Sequence, residues 1–241
     1  MEIINPDETL DILCNDRLKI IQKKEGYRFS IDAIILANFV TLKKQDRVLD
    51  IGTGCGIIPI YMTIMGKTNK ITGIEIQGEL FELAEKNREF NRCYNVDFIK
   101  GDVTRIIDRL KDMRFQVIIS NPPYTKEKSG RKSPGKSRLL ARYESTLSLE
   151  SLIETASIIL GNKGRLYLIY PVRRLGELIY TAKTKRLEPK RIRFVHPRYD
   201  EKANLFLIEL IKNSGIQMTV EKPLYIYEDI YYTHEIASYY Q

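Results

Sequence analysis

The sequence has no apolar run long enough to cross a bilayer. Its longest apolar stretches, such as Ile31–Val40 and Val117–Ile119, fall well short of the roughly 20 residues that a spanning helix needs. The opening Met1-Glu2-Ile3 lacks the basic and then apolar pattern of a secretion signal, so a cytoplasmic protein is expected. Cysteine is scarce. Cys14, Cys55 and Cys93 are odd in number, show no CxxC spacing and have no histidine near them, which excludes a disulfide framework and a zinc site. Histidine is scarcer still: His196 and His234 are too far apart and too unsupported to suggest a base or a metal, and no metal is expected. No internal repeat or Pro/Gly/Ser linker divides the 241 residues, which points to one domain with short additions at its ends.

What the chain does have is apolar content, at 43% enough for a well-buried core, and positive charge. Lys and Arg number 39 against 31 Asp and Glu, a formal net charge of +8 that favours a polyanionic partner. The charge is concentrated. Between Tyr124 and Tyr143 stand Lys126, Lys128, Arg131, Lys132, Lys136, Arg138 and Arg142, with Glu127 the one acid.

Apolar runs suited to buried strands occur at Arg47–Ile51, Lys70–Ile76, Val96–Lys100, Phe115–Ser120, Gly164–Tyr170, Arg191–His196 and Ala203–Ile211. Helical patterns lie between them at Ile57–Met65, at Gly78–Asn91, where Leu80, Leu83, Ala84 and Asn87 share one side, and at Leu149–Leu160. The alternation predicts an α/β fold, a mostly parallel seven-stranded sheet with helices on both faces and ligands beyond the carboxyl ends of the strands. Only Pro197–Lys202 separates the last two strands. That is too short for a parallel crossover and predicts an antiparallel hairpin at the end of the sheet. The tyrosine-rich Pro223–Gln241 is expected to add an edge strand at Leu224–Tyr227 and a short helix.

Asp50-Ile51-Gly52-Thr53-Gly54-Cys55-Gly56 closes the first strong strand and opens the first helix. Glycines here allow tight turning and close approach of the backbone to a ligand. The spacing is GxGxG, not the GxGxxG of a pyrophosphate loop, and Asp50 would repel a pyrophosphate. The loop suits a ligand with an ammonium and a sulfonium, as in S-adenosylmethionine. Glu75, at the end of the second strand, is placed to accept hydrogen bonds from ribose hydroxyls, and Asp102, at the end of the third, to read an adenine amine. Three acids at three successive strand ends carry more weight together than any one alone, since an acid at a strand end is usually a solvated cap.

The fourth strand stops at Asn121-Pro122-Pro123-Tyr124. Two prolines remove two amide donors and stiffen the chain, leaving the Pro122 carbonyl and the Asn121 side chain as outward-facing acceptors. An acceptor pair suits an NH2 group, whose conjugated lone pair is turned toward an electrophilic methyl when both protons are held. In-line attack across about 3 Å is then a matter of orientation, with no strong general base. Tyr124 would stack on the planar acceptor.

Asp50–Gly56, Glu75, Asp102 and Asn121–Tyr124, in that order over about Arg47–Lys212, resemble the class I S-adenosylmethionine-dependent methyltransferases of the small-domain kind that modify amino groups with an NPPY motif. Within that group Tyr27–Ala37, Ala141-Arg142-Tyr143, Pro197-Arg198 and the tyrosine-rich end are similar to the bacterial enzymes that methylate the 6-amino group of an anticodon-loop adenine in valine tRNA. The resemblance implies RNA, most of all a tRNA, as partner. It implies cofactor binding by Asp50, Gly52, Gly54, Gly56, Glu75, Asp102 and Asn121, catalysis by Asn121, Pro122 and Tyr124, and a cover over the active site from Phe29–Asp32. A flipped base in a single-stranded loop needs phosphate contacts and aromatic platforms, for which Lys126, Arg142 and Tyr143 are candidates. The corresponding division is a cap in residues 1–46, the methyltransferase domain in 47–212 and a tyrosine-rich extension in 213–241. Three alternatives stay open: transfer to guanine amino groups of rRNA, transfer to protein glutamine by enzymes that carry a longer N-terminal helical domain, and a non-catalytic RNA-binding protein.

Overall fold

The computed structural model describes residues 4–26, 28–122 and 147–241. Five parallel strands form its centre: β3 (Val48–Ile51), β4 (Ile71–Glu75), β5 (Val96–Lys100), β6 (Val117–Ser120) and β7 (Arg165–Pro171). Every residue of β3, β4, β6 and β7 is buried. Strands covered on both faces read as continuous apolar runs rather than alternating ones, which is why they stand out in the sequence. Helices α2 (Ile57–Ile64), α3 (Gly78–Phe90), α4 (Ile107–Asp112), α5 (Leu149–Ile159) and α6 (Leu175–Thr184) connect or flank them. They divide the core into one cluster under α2 and α3 and another under α4, α5 and α6.

The expected hairpin is β8 (Leu187–His196) and β9 (Leu205–Lys212), antiparallel as anticipated. Its reversed strand lies inside the sheet, since the order is β8-β9-β7-β6-β3-β4-β5 and β9 also pairs antiparallel with β7. The crossover through α6 carries β8 one place beyond β7, and β9 fills the gap. Two short segments, β10 (Thr219–Val220) and β11 (Leu224–Tyr225), pair with β8 on its outer side, so the anticipated edge strand begins at Leu224. The short helix is α7 (His234–Ser238), preceded by the hairpin β12 (Tyr227–Glu228) and β13 (Tyr231–Tyr232).

Two N-terminal elements complete the fold. Hairpin β1 (Glu8–Leu13) and β2 (Leu18–Lys23) packs on α2 and α3 and shares their core cluster through Leu18, Ile20 and Ile21. Helix α1 (Ile31–Phe39) buries Ala33–Ala37 and Phe39, so it is apolar nearly all round rather than amphipathic. Its C-terminal end is pinned. Arg191 on β8 donates to the Phe39 carbonyl at 2.7 Å and lies over the Phe39 ring, 4.0 Å from its centroid. Arg165, the first residue of β7, donates to the Thr41 carbonyl at 2.6 Å and pairs with buried Asp46. The other end of α1 is held by the hairpin, where the Gln22 side chain accepts from the Phe29 N–H at 2.9 Å.

Phe98 on β5 packs beneath the loop that follows β3, in space left by missing side chains. A Cβ on Gly73 would stand 2.6 Å from the Phe98 ring and 2.8 Å from the Thr53 hydroxyl. Overpacking of this kind costs roughly 1–3 kcal/mol. Gly73→Ala is therefore expected to lower the urea midpoint with an unchanged slope, measured by equilibrium unfolding.

Candidate active site

The carboxyl ends of β3, β4, β5 and β6 meet at one edge of the sheet. After Ile51 the chain turns through Gly52, Gly54 and Gly56, at φ of 73°, 59° and 82°. These are left-handed values that glycine adopts without strain, and they account for the GxGxG spacing. The loop bends over β4, with Gly52 and Thr53 both donating their N–H to the Ile74 carbonyl, at 2.9 and 3.1 Å.

Glu75 is buried at 1% exposure. Its carboxylate accepts from the Gly54 N–H at 2.9 Å and from the Gln77 N–H at 2.9 Å, one bond to each oxygen. Asp50, one strand over, is equally buried, and neither of its oxygens has a hydrogen-bond partner. The Thr53 hydroxyl lies near enough to lower its pKa but outside bonding geometry. Burial pushes the Asp50 carboxyl up to about 7, and the Glu75 charge adds to the rise. A carboxylate without partners in such a place is stable only when a cation or a proton joins it.

A small open cleft lies beside these acids, lined by Ile51, Gly52, Ile74, Ile76, Gly101, Asp102, Val103 and Leu147. Its lining is mostly apolar, with Asp102 the charged member. Asp102 uses one oxygen within its own turn, accepting from the Thr104 N–H at 2.9 Å and the Thr104 hydroxyl at 2.7 Å; the other lies 3.5 Å from Arg105. Ile76, Val103 and Leu147 do not figure among the sequence candidates, because an apolar residue just past a strand end, or just before a helix in the case of Leu147, carries no pattern that separates a cleft wall from core.

Asn121 and Pro122 follow β6, the neighbour of β3 on the side away from β4, about 5 Å across the sheet from the glycine loop. The Ser120 hydroxyl donates to the Ile51 carbonyl at 2.8 Å and ties the two strand ends together. Asn121 is partly buried and Pro122 buried. Tyr124, Lys126, Arg142, Tyr143 and the rest of the basic stretch lie outside the described residues. Arginines after β7, along β8 and just past it are paired with acids. Arg174 pairs with Glu177, Arg191 with Glu209 and Glu221, Arg193 with Glu235, and Arg198 with Glu201. His196 Nδ1 lies 2.8 Å from the Glu201 carbonyl. Among the described residues, no group of three His, Cys, Asp or Glu could hold a metal ion, and no helix is long and apolar enough to cross a membrane. Cys55, inside the glycine loop, is buried, and its thiol is pushed up to about 12 by that burial, the opposite of a nucleophile's environment.

Residues 29–175 match the family model described as methyltransferase small domain. A Porphyromonas gingivalis protein named tRNA1(Val) (adenine(37)-N6)-methyltransferase is 33% identical over 76% of this chain and 73% of its own length. One of the same name from Parabacteroides distasonis is 29% identical over 84% of this chain and 87% of its own. Among solved structures, a predicted O-methyltransferase of Agrobacterium tumefaciens superposes with a TM-score of 0.70 at 26% identity, over 86% of this chain and 94% of that one. A methyltransferase of Pyrococcus furiosus gives 0.56 at 20% identity, over 82% and 90%; at that identity the likeness is one of fold.

The buried Asp50 has a measurable signature. Its native pKa lies above the ordinary value of 3.8, so the native state holds a proton that the unfolded chain releases. Its contribution to stability is complete below about pH 4 and is lost as pH rises toward about 7. Urea unfolding of the ligand-free protein and of Asp50→Asn at a series of pH values should give curves that run parallel below about pH 4, with the wild type falling relative to the variant between about pH 4 and 7.

Proposed function

The chain belongs to the methyltransferase small domain family and takes its methyl group from S-adenosylmethionine, and we propose that it methylates the exocyclic 6-amino group of an adenine in a tRNA anticodon loop. The observation that carries the reading is the pairing of an unpartnered, buried Asp50 with an apolar cleft on one side and Asn121-Pro122 on the other.

The residues present fit the cofactor. Asp50 offers desolvated negative charge suited to the ligand's positive groups, Glu75 sets a buried carboxylate at the end of the neighbouring strand where an acid can meet ribose hydroxyls, and the cleft lined by Ile51, Ile74, Ile76 and Val103 offers apolar surface to a ring. When bound, S-adenosylmethionine supplies an electrophilic methyl on a sulfonium. The protein's own part is orientation and desolvation. The Asn121 side chain and the Pro122 carbonyl accept hydrogen bonds from the two protons of the target NH2, which turns its lone pair away from the ring and toward the methyl. Tyr124 stacks on the base. No general base is called for, since the proton leaves after the carbon–nitrogen bond has formed. Phe29–Asp32, at the beginning of α1 and held by Gln22 of the hairpin, serve as a cover over the site.

The choice of adenine and tRNA is supported by the names of the relatives, which span most of this chain. It agrees with the cationic stretch from Lys126 to Arg142 beside the motif, since phosphate contacts dominate affinity for nucleic acid. Lys126, Arg142 and Tyr143 are assigned to that contact.

Incubation with labelled cofactor and separated tRNA, rRNA and protein, followed by nucleoside analysis, should yield labelled 6-methyladenosine from the tRNA fraction. Label confined to protein, or to guanine in rRNA, would overturn the assignment. Asn121→Ala is expected to reduce turnover by at least about a hundredfold while cofactor binding, measured by calorimetry, is retained. Undiminished turnover would refute its role.

A further inference from the structure

Among the described residues, strand β2 pairs with β1 along one edge only. On its other edge the backbone groups are met by side chains of α3. Asn91 accepts from the Lys19 N–H at 2.9 Å and donates to the Lys19 carbonyl at 2.7 Å. Asn87 accepts from the Ile21 N–H at 2.7 Å and donates to the Ile21 carbonyl at 3.0 Å. The spacing explains the fit: four residues advance a helix by about 6 Å, and two advance a strand by about 6.6 Å. Two amides at that interval take the place of a third strand.

The two asparagines differ in their remaining N–H. That of Asn91 stays within its own helix, on the Asn87 carbonyl at 2.8 Å. That of Asn87 crosses to the Cys55 carbonyl at 3.0 Å, in the middle of the glycine loop. Asn87 is completely buried, and its orientation is fixed because both partners of Nδ2 are carbonyl oxygens. The loop is thus clasped from two sides, by Glu75 at the Gly54 N–H and by Asn87 at the next carbonyl along. The peptide between Cys55 and Gly56 is the point at which the loop enters α2, with Gly56 at φ +82°.

We propose that Asn87 is a positioning residue for the cofactor: by holding the Cys55 carbonyl it fixes the glycine loop in the form that receives S-adenosylmethionine, and it couples that loop to the N-terminal hairpin. The inference rests on the assignment of the loop to that cofactor. The hairpin in turn holds the segment leading to α1. Gln22 accepts from the Phe29 N–H at 2.9 Å, and Arg28 pairs with Asp11 at 2.9 Å. One side chain therefore bridges the floor of the cofactor site and the frame of its cover.

Asn87→Ala and Asn91→Ala each remove two hydrogen bonds to β2, but only the first releases Cys55. Calorimetric titration with S-adenosylmethionine should show the Kd raised about tenfold in Asn87→Ala, the effect of losing one buried hydrogen bond, and by less than about twofold in Asn91→Ala. Turnover at saturating cofactor should stay within about twofold of wild type in both, so that KM for the cofactor moves and kcat does not. Equal shifts in the two variants, an unchanged Kd in Asn87→Ala or a loss confined to kcat would overturn the proposal. If Asn87→Ala does not fold, as judged by circular dichroism, the comparison of Asn87→Ser with Asn91→Ser decides by the same criteria. Failure of the wild type to bind S-adenosylmethionine would instead sink the cofactor assignment itself.

Discussion

Two carboxylates stand at the ends of neighbouring parallel strands with almost no water to solvate them, and most of the molecule is arranged around that conflict. Asp50 and Glu75 are each 1% exposed, in strands whose register sets Asp50 against Gly73 and Ile51 against Ile74. Glu75 is relieved by two backbone N–H groups, that of Gly54 in the glycine loop and that of Gln77 just past its own strand. Asp50 is not relieved by hydrogen bonds. In the reading proposed above, a sulfonium or ammonium group brought next to Asp50 removes a cost that a neutral or anionic ligand would leave in place. The glycines of the loop, the missing side chain at Gly73 and the Phe98 ring below them are the packing conditions under which both acids can be buried together.

The parts outside the sheet are built onto the same face as the loop. Hairpin, α1 and C-terminal segment converge on α2: the Tyr61 hydroxyl accepts from Asn38 at 2.7 Å and donates to the Tyr239 carbonyl at 2.7 Å, and Arg17 at the hairpin turn donates to the Gln241 carbonyl. Ile236 of α7 joins the core cluster that contains α1, α2 and the hairpin. First and last segments of the chain thus share one packing unit with the helix that the glycine loop opens.

The sheet was legible because its strands, buried on both faces, are short unbroken apolar runs between helical periods, and the inward stripe Leu80, Leu83, Ala84 and Asn87 is the buried set of α3. The N-terminal hairpin was not read, although Asn15-Asp16 between Leu10–Leu13 and Leu18–Ile21 is a turn signal and Cys14, Asn15 and Asp16 all take left-handed φ. Its strands alternate weakly, with Gln22 and Glu8 buried among polar partners, and so lack a clean period of two. Helix α6 carries the stripe Leu178 and Ala182, hidden by the basic residues around it. In the site, residue types at strand ends gave the acids and the glycine loop. The isolation of Asp50 and the reach of Asn87 to Cys55 depend on which groups burial brings together, and no local pattern records that.

The asparagine pair on α3 has a consequence for the behaviour of the protein in a crowded solution. A two-stranded ribbon ordinarily presents an open row of donors and acceptors on which a strand from another chain can build. Here Asn87 and Asn91 occupy the row at Lys19 and Ile21, so β2 can be short, apolar and near the surface without offering a template for fibril growth. The device uses two side chains where other folds use a covering loop or a proline, and it closes the β2 edge of the ribbon.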